Sequence, residues 1–549
     1  MTEHYLDILA RTIRENWEQP ALTDFYLTED GTAQDTSRGN RYTYGEMYCE
    51  MMRLGELFRA LGLKQGDHIA ICGSNSANWA VAYLAIAAYQ GVAVTVLHSQ
   101  NIEDIAHQID FSDAVCLFTD KDIWEELKQQ SLPQVRYIIS LEDFTVCDAA
   151  TGRAITCYGS TGVCKDPTPI PDYRDTIGIP NGYDENTLRE KLSNGNLSNS
   201  QLSNSQSLDD LAMICFTSGS SGVSKGVMKS YKSVSGDIKT AVNLYPVVNN
   251  SHYYSTLPFI HTAGLVGELF AQLMLGKHIF IDRDLSSIKK YVCSIEFITP
   301  YMIIMVPQVL QKVFGMYYDN FIKNLSQYCK LIVTGTAKWD EDTEKEIEKS
   351  GIPFCTGYGQ TEAGVNVSID SYLNHRLGSS GKIVKGTSIK FVKGEICIKS
   401  KTMMLGYYKD PEATAKKIDK DGWLHTGDAG YMDEDGYLYV TGRIGQDMIV
   451  LPNGENIHPE DIEQKLNALP EVRESLVLAR NGKLIALIVP EQGIAEQGVY
   501  QPYMADIRRS ILRTANPQLP MYSQLCDIEF LDKPLERTAK QTIKRYLYV

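Results

Sequence analysis

The chain lacks the cysteine patterns of disulfide scaffolds and of zinc sites. Its 12 cysteines are scattered over 549 residues, with no Cys-x-x-Cys pair and no Cys/His cluster at zinc-ligand spacing. Scattered thiols of this kind are typical of a reduced, cytosolic protein. We therefore predict a cytoplasmic location and neither a disulfide framework nor a metal site built on cysteine.

The chain also lacks a long uninterrupted apolar run and a secretion signal. Its first residues carry acids instead of a basic start, and its longest apolar stretch, 77–97, is interrupted by Asn78, Gln90 and Gly91. We interpret that stretch as a buried helix over 79–89 followed by a buried strand. No integral membrane span is expected.

The charge balance excludes some partners. A net charge of −15 argues against nucleic acid or an anionic membrane surface as the main partner, while a local basic pocket for a nucleotide stays compatible with it. The length and the 43% hydrophobic content exceed what one core usually supports. We expect a globular protein with two or more domains.

Short apolar runs alternate with helical patterns through most of the chain. This alternation predicts an α/β fold with mainly parallel sheets. Beyond residue 386 the runs become shorter and alternate in polarity, as in 388–399, which predicts antiparallel strands of a barrel-like subdomain. The predicted parallel strands are 68–72, 92–97, 114–119, 135–140, 213–216, 278–281 and 331–334.

Two changes of composition divide the chain. Small polar residues repeat over 192–207, a composition that cannot build a core, so we predict a flexible insertion at about 186–207.

Beyond Ile444 the chain has its own strand patterns and helix patterns. We place a hinge there and predict a large domain over 1–444 and a small mobile α+β domain over 445–549. The strands and helices predicted for the small domain are 474–479, 483–489, 459–468 and 504–516.

One segment has the composition of a phosphate-binding loop. An apolar strand, 213–216, leads into glycines and hydroxyls followed by a lysine, so that backbone N–H groups, side-chain donors and a positive charge can approach an anion. The spacing does not fit the P-loop pattern G-x-x-x-x-G-K-[ST]. A flexible connection is the alternative. The predicted phosphate-binding residues are Thr217, Ser218, Gly219, Ser220, Ser221, Gly222 and Lys225.

This loop resembles the phosphate loop of the adenylate-forming superfamily of acyl-CoA synthetases, peptide-synthetase adenylation domains and firefly luciferase. It departs from the superfamily at Ser224, where proline is usual. At least six further segments resemble superfamily segments in the expected order. The resemblance implies a large N-terminal domain of parallel sheets flanked by helices, a β-barrel-like subdomain, and a small mobile C-terminal domain.

The resemblance also implies roles for residues that bind the nucleotide. In the segment 356–364, Tyr358 stacks on adenine, Thr361 donates to the α-phosphate and Glu362 holds Mg²⁺, for which a carboxylate is a suitable hard ligand. Gly357 and Gly359 belong to the same segment. Further implied roles are adenine packing by Gly335, Thr336 and Ala337, ribose binding by Asp428, and a ribose or phosphate contact by Arg443.

Two further segments are implied to serve the acyl group and the thiol. His261, in the segment 257–264, would lie near the acyl carboxylate and the thiol tunnel; a structural histidine beside apolar residues is the alternative. A loop around Gly454 would line the pantetheine path after the small domain turns about residues 444–445.

The C-terminal signature departs most from the superfamily pattern. Thr542 occupies the position of the usual catalytic lysine. In an extended chain, Lys540 and Lys544 would lie on the same face as Thr542, each displaced by roughly 7 Å. Lys540 is our candidate for the catalytic lysine, and solvent-exposed lysines of a basic tail are the alternative.

Together these segments imply an ATP-dependent acid:thiol ligase that uses Mg²⁺ and coenzyme A. A carboxylate attacks the α-phosphorus of ATP and a thiol then takes the acyl group, so no nucleophilic side chain is required. No aspartate stands where amino-acid-activating domains place one, which disfavours amino acids. Small residues at Ala263, Gly264, Val266 and Gly267 predict room for an alkyl chain or aromatic ring, hence a fatty or aryl acid. A ligase that loads a separate acyl carrier protein, and a non-catalytic binder of acyl adenylates, stay open.

Overall fold

The structure is a computed structural model that describes the chain in segments. The described residues are 3–26, 39–152, 154–156, 207–217, 224–244, 252–282, 288–305, 309–310, 327, 329–335, 341–370, 375–444, 449–450, 456–457, 459–480, 483–491, 500–519, 523–537 and 543–548. Within these segments, no helix is long and apolar enough to cross a membrane. The insertion predicted at 186–207 lies outside them apart from Ser207.

The first strands of the chain belong to a four-stranded sheet. In spatial order it contains β11 (His252–Ser255), β12 (His278–Asp282), β1 (Pro20–Phe25) and β2 (Arg41–Thr43). The first three are parallel, and β2 is antiparallel to β1. Helix α2 (Tyr44–Ala60) follows β2 directly because a capping box forms: the Thr43 hydroxyl accepts from the Glu46 amide, and the Glu46 carboxylate accepts from the Thr43 amide.

Nine strands form the central sheet. Their order is β20 (Gly406–Tyr407), β10 (Lys225–Ser230), β9 (Leu211–Thr217), β4 (Val92–Thr95), β3 (His68–Cys72), β5 (Cys116–Thr119), β6 (Tyr137–Ser140), β7 (Val146–Asp148) and β8 (Ala154–Thr156). The five strands from β9 to β6 are parallel, and the strands beyond them at both edges are antiparallel. Strands β4 and β5 are buried along their whole length, as near-continuous apolar runs in a parallel sheet require. The predicted α/β class is confirmed.

Helix α3 (Ala77–Ala88) confirms the interpretation of the longest apolar stretch as a buried helix. It begins where the Ser76 hydroxyl accepts a 3.0 Å hydrogen bond from the Trp79 amide, and its apolar side chains are buried on all sides. The other helices of the large domain are α1 (Tyr5–Glu15), α4 (Ile102–Phe111), α5 (Lys121–Leu127), α6 (Tyr231–Leu244), a π-helix (Gly264–Phe270) that continues into α7 (Ala271–Met274), α8 (Ile288–Ile298), α9 (Glu341–Ser350) and α10 (Pro411–Lys417).

Two smaller sheets complete this part of the chain. A five-stranded sheet contains β13 (Met302–Met305), β14 (Leu331–Thr334) and β15 (Phe354–Gln360) in parallel, then β16 (Gly364–Ile369) and β17 (Lys382–Ile383) antiparallel. A four-stranded antiparallel sheet contains β18 (Thr387–Val392), β19 (Glu395–Ser400), β21 (Leu424–Met432) and β22 (Leu438–Arg443). Its edge strands β18 and β22 do not pair with each other in the described chain, so the predicted barrel-like subdomain is an open sheet.

The C-terminal residues form a separate three-stranded sheet with its own apolar cluster. Strands β25 (Val472–Arg480) and β26 (Lys483–Pro490) are antiparallel, and β27 (Asp527–Phe530) is parallel to β26. Residues of α11 (Pro459–Asn467) and α12 (Tyr500–Ala515) share a buried cluster with this sheet. The remaining elements are a short hairpin of β23 (Ile449–Val450) and β24 (Asn456–Ile457), and 3-10 turns at Asn516–Gln518 and Arg545–Leu547. The exact division at residues 444 and 445 stays a prediction.

Candidate active site

The two ends of the predicted phosphate loop lie side by side. Strand β9 ends at Thr217 and β10 begins at Lys225, and these residues are partners in the antiparallel register. The Thr217 hydroxyl donates to the Lys225 carbonyl oxygen at 3.5 Å. Lys225 Nζ lies 5.0 Å from the centre of the Tyr407 ring, close enough for the cation and the ring to attract. The loop residues Ser218, Gly219, Ser220, Ser221 and Gly222 lie outside the described chain, and their role stays a prediction.

Glu362, the predicted magnesium ligand, is oriented by the same tyrosine. The Tyr407 hydroxyl donates to Glu362 Oε1 at 3.0 Å, while Oε2 accepts no hydrogen bond from the residues described. Burial raises the pKa of Tyr407, and the Glu362 carboxylate raises it further, so the phenol keeps its proton and remains a donor. Lys225, Tyr407 and Glu362 therefore form one connected group with an acceptor oxygen available.

Asp428, the predicted ribose ligand, is the centre of a second group. Its buried carboxylate accepts from the Tyr358 hydroxyl at 2.5 Å and from Gln360 Nε2, and it forms an ion pair with Arg443 Nε at 3.0 Å. Burial raises the pKa of Asp428, against the effect of Arg443. Strands β21 and β22 pair Asp428 with Arg443 in register. The fold therefore brings together Tyr358, Asp428 and Arg443, the three residues for which the family resemblance implies contacts with the nucleotide.

Three donors converge on the carbonyl oxygen of Thr426, two residues before Asp428. Lys417 Nζ donates to it at 2.8 Å, Gln360 Nε2 at 3.2 Å and Arg443 Nη1 at 3.3 Å. Burial lowers the pKa of Lys417, while the nearby Glu362 carboxylate acts against this lowering. Sequence inspection missed Lys417 and Gln360, since neither stands out by type or spacing.

Thr361 lies where the nucleotide and acyl segments meet. Its hydroxyl is 3.3 Å from the hydroxyl of Thr262, the residue after His261. The buried Lys229 donates to the carbonyl oxygens of Thr361 at 3.3 Å and Thr402 at 2.5 Å, and pairs with the buried Asp237 at 3.1 Å. The predicted phosphate donor Thr361 is therefore fixed through its backbone by a buried ion pair.

The acyl segment 257–264 is held by the buried carboxylate of Glu268 and the half-buried amide of Asn75. The Glu268 carboxylate accepts from the amides of Thr256 at 2.9 Å and Leu257 at 2.6 Å, and burial raises the pKa of Glu268 to about 8. Asn75 Nδ2 donates to the Leu257 carbonyl oxygen at 2.8 Å. These bonds fix the approach to His261, whose predicted role in catalysis stays a prediction.

One expectation about the acyl pocket is wrong. Gly264 was expected to leave room for substrate, but a Cβ atom there would lie 2.3 Å from the Pro258 carbonyl oxygen. The space beside Gly264 is therefore filled by the chain itself. The small size of Ala263, Val266 and Gly267 stays a prediction of pocket room.

Comparison with known protein families identifies the chain. The AMP-binding enzyme family matches residues 9–408, and the C-terminal domain of AMP-binding enzymes matches residues 446–548. The chain belongs to the AMP-binding enzyme family. The predicted membership of the adenylate-forming superfamily, in its acyl-CoA synthetase branch, is confirmed.

Curated relatives and solved structures agree with this family. The chain is 25% identical over 553 residues to 3-[(3aS,4S,7aS)-7a-methyl-1,5-dioxo-octahydro-1H-inden-4-yl]propanoyl:CoA ligase of Rhodococcus jostii (strain RHA1), covering 96% of this chain and 99% of that protein. It is 24% identical over 526 residues to 4-coumarate–CoA ligase 4 of Arabidopsis thaliana, covering 91% and 84%. The structure of O-succinylbenzoate coenzyme A synthetase (MenE) from Bacillus subtilis with AMP superposes with a TM-score of 0.73 at 20% identity, covering 99% and 98%. That likeness confirms the fold.

The glycines of the family's adenine segments are required by close backbone packing. Parallel pairing of Thr334 with Thr356 brings the two segments together. A Cβ atom on Gly335 would lie 2.8 Å from the Gly357 carbonyl oxygen, and one on Gly359 would lie 2.0 Å from the Val365 carbonyl oxygen. Thr336 and Ala337 lie outside the described residues, as does Gly454, so their contacts with ligand stay predictions.

The C-terminal tail, the segment after β27, is where the family usually has its lysine. It is bonded to the helices and strands of the small domain. An antiparallel bridge pairs Arg537 with Ile543, so these residues lie side by side. The placement of Lys540 and Lys544 relative to Thr542 stays a prediction. Lys544 Nζ lies 3.6 Å from Glu536 of the same tail, and Lys540 lies outside the described residues.

A Glu-Cys-His group beside Asp428 was not indicated by sequence spacing. His425 Nδ1 lies 2.7 Å from Glu395 Oε2 and 3.5 Å from Cys397 Sγ. Glu395 Oε1 also accepts from the Gly427 amide at 2.9 Å. The carboxylate thus supports the turn that precedes Asp428, which accounts for the group without a metal ion.

Proposed function

We propose that the protein is an ATP-dependent acid:CoA ligase. It joins a carboxylate oxygen to the α-phosphorus of ATP as the bond to the departing pyrophosphate breaks. The acyl group then passes from the adenylate to the CoA thiol, and AMP leaves. The observation that carries this proposal is the convergence of Tyr358, Gln360 and Arg443 on the buried Asp428 carboxylate. The family match and the relatives named as CoA ligases support it.

The nucleotide is bound by the two groups of side chains. Asp428 accepts the ribose hydroxyls, with Arg443 beside it to offset its charge, and Tyr358 packs on adenine. Lys225 and the Thr361 hydroxyl face the phosphates, where a positive charge and a donor stabilise the charge that develops at the α-phosphorus. The backbone of Thr361 is fixed by Lys229, which limits reorganisation during the reaction.

The residues present fit a magnesium ion. Glu362 is a carboxylate with one oxygen bonded to Tyr407 and the other without a hydrogen-bond partner in the described chain. Mg²⁺ is commonly held by one or two carboxylates together with substrate phosphates. When bound at Glu362, it supplies neutralisation of phosphate charge.

The carboxylic acid and the acceptor of its acyl group are proposed as chemical classes. A fatty or aryl acid is the proposed substrate, and CoA is the proposed acceptor, with a loop around Gly454 lining its path. A cytoplasmic location is proposed because the ten cysteines that the structure describes form no disulfides.

Acid-dependent exchange of pyrophosphate into ATP tests the first half-reaction. A panel of fatty, aryl and amino acids should give exchange with at least one fatty or aryl acid, and AMP release with that acid should require CoA. Exchange without any response to CoA, but with loading of an added acyl carrier protein, would favour the carrier-protein ligase. Absence of exchange with every acid would favour the non-catalytic binder and contradict the proposal.

A further inference from the structure

Lys417 is bonded to the backbone beside Asp428 and lies near enough to Glu362 for that carboxylate to act on its pKa. Its Nζ donates to the Thr426 carbonyl oxygen at 2.8 Å, the same oxygen to which Gln360 and Arg443 donate. From this position we propose that Lys417 binds the phosphates of the nucleotide from the large domain, beside Glu362. This proposal rests on the proposed function, since it concerns the same nucleotide.

The Lys417 ammonium has more N–H donors than its bond to Thr426 uses. An ammonium carries three N–H donors, and one of them is used by Thr426. No carboxylate oxygen in the described part of the chain lies within 4.0 Å of Lys417 Nζ. A half-buried cation without an anionic partner is electrostatically unfavourable unless an anion binds there. The phosphates of ATP supply that anion.

Glu362 and Asp428 lie near Lys417 without neutralising it directly. Both carboxylates act to raise the pKa of Lys417, against burial and against Arg443, which lower it. A bound triphosphate adds negative charge at this position and therefore favours the protonated lysine. The expected gain is largest for ATP and smaller for nucleotides with fewer phosphates.

The helix that carries Lys417 is fixed to the segment that orients Glu362. Helix α10 begins at an Asp410 cap, whose side chain accepts from the Ala413 amide at 2.8 Å. The Thr414 hydroxyl oxygen accepts from the Tyr407 amide at 2.8 Å, and the Tyr407 side chain holds Glu362. Lys417 at the end of this short helix is thus placed by the same scaffold as the predicted magnesium ligand.

The position of Lys417 also bears on the departure at the C-terminal signature. Thr542 stands where a lysine is usual, and Lys544 lies 3.6 Å from Glu536. A lysine on the large domain stays at the nucleotide when the small domain turns. Lys417 is therefore expected to act in both half-reactions, whereas a lysine of the tail acts only while the tail covers the site.

Calorimetric titration with ATP tests the binding role. The variants are Lys417→Met, Lys417→Arg and, as a matched control, Lys416→Met, which changes an exposed lysine of the same helix. We expect ATP to bind Lys417→Met roughly 10- to 100-fold more weakly, with the loss smaller for AMP, since a charge-assisted bond is lost. Lys416→Met should bind within about twofold of the parent, and Lys417→Arg should recover most of the affinity because it keeps the charge.

Unchanged ATP affinity in Lys417→Met would overturn the proposal, as would a loss of affinity that Lys417→Arg does not recover. The half-reactions give a second test. Lys417→Met should slow both pyrophosphate exchange and CoA-dependent AMP release from preformed acyl adenylate, and an effect confined to one of them would contradict a lysine fixed on the large domain. If the parent protein itself neither binds ATP nor catalyses exchange, the proposed function fails, which is a separate result from failure of Lys417 alone.

Discussion

The proposed nucleotide site and the C-terminal tail use charged residues in different ways. In the proposed nucleotide site, Asp428 of β21 accepts from two residues of β15, Tyr358 and Gln360, and pairs with Arg443 of β22. In the tail, Arg545 bonds to Glu463 and to the Val477 carbonyl oxygen of the small unit's own helix and strand. The first arrangement assembles a binding surface from distant segments. The second fastens one segment to its own sheet.

The difference shows which part of the molecule is arranged for nucleotide binding before the ligand is present. Burial raises the pKa of Asp428 although Arg443 is beside it, so this carboxylate costs free energy in the ligand-free protein, as is usual at functional sites. Burial also raises the pKa of Glu463 although Arg545 of the tail is beside it, but that pair joins the tail to a helix of the small domain and stabilises local structure. The large domain is therefore expected to hold most of the nucleotide-binding energy before the small domain takes part.

The largest expected effect is on Asp428. Asp428→Ala removes the acceptor of Tyr358, Gln360 and Arg443, and we expect kcat/KM for ATP to fall on the order of 10³-fold, about 4 kcal/mol. Steady-state kinetics with varied ATP measures it. The control Asp435→Ala removes an exposed carboxylate paired with Arg376. If Asp428→Ala kept the parental kcat/KM, the contrast drawn between the proposed nucleotide site and the C-terminal tail would be contradicted.

The next effect concerns the buried pair behind Thr361. Lys229→Met leaves Asp237 buried without its cation, and we expect a loss of about 3 kcal/mol in the free energy of unfolding, measured by urea denaturation. Adding Asp237→Asn should recover part of the loss, since its amide oxygen can still accept from the Val365 amide. Lys232→Met, which affects an exposed pair with Asp209, is the control. Equal losses of unfolding free energy in Lys229→Met and Lys232→Met would show that burial of the Lys229–Asp237 pair does not increase its contribution to stability.

A smaller effect is expected in the tail. Arg545→Met leaves the buried Glu463 without its cation and should destabilise the small unit by about 2 kcal/mol, seen as faster amide hydrogen exchange in β25. ATP affinity should stay within about twofold of the parent. Lys544→Met, whose partner Glu536 is mostly exposed, should change neither. A large loss of ATP affinity in Arg545→Met would mean that the tail is part of the nucleotide site before closure.

The smallest expected effect is a pH dependence of stability that comes from His375, beyond the end of β16. Burial lowers the pKa of His375, but its contacts with Asp370 and Glu344 outweigh burial and raise this pKa to about 9. Because the pKa is raised, the stabilisation is complete below the ordinary histidine value of about 6.5 and is lost as pH rises through about 9. We expect about 1–2 kcal/mol, measured as the decrease in unfolding free energy between pH 7 and 10. His375→Gln should flatten this profile, and an unchanged profile would refute the assignment.

Much of the fold followed from the apolar runs. The parallel strands were predicted because buried strands need nearly continuous apolar residues, and all seven lie within two residues of their predicted bounds at each end, as with His68–Cys72 and Leu331–Thr334. The open antiparallel sheet differed from the barrel-like expectation because alternating polarity reports one buried face and does not report closure.

The site was predictable only where residue type and segment order carry information. Tyr358, Asp428 and Arg443 were found through the family's segments, and the fold brings them together. Tyr407, Gln360 and Lys417 were missed because their positions depend on tertiary contacts between strands and a short helix. Gly264 was misinterpreted because a missing side chain signals either ligand space or close backbone approach, and sequence alone does not separate the two.

The π-helix Gly264–Phe270 has a consequence for engineering of the acyl end of the site. A π-helical turn contains more residues than an α-helical turn, so it can arise by insertion of one residue into an α-helix. Removal of one residue from this stretch would restore ordinary winding and rotate Glu268 away from the Thr256 and Leu257 amides that it holds at 2.9 and 2.6 Å. Chain length in this helix therefore sets where the Glu268 carboxylate lies, which side-chain substitution cannot reproduce.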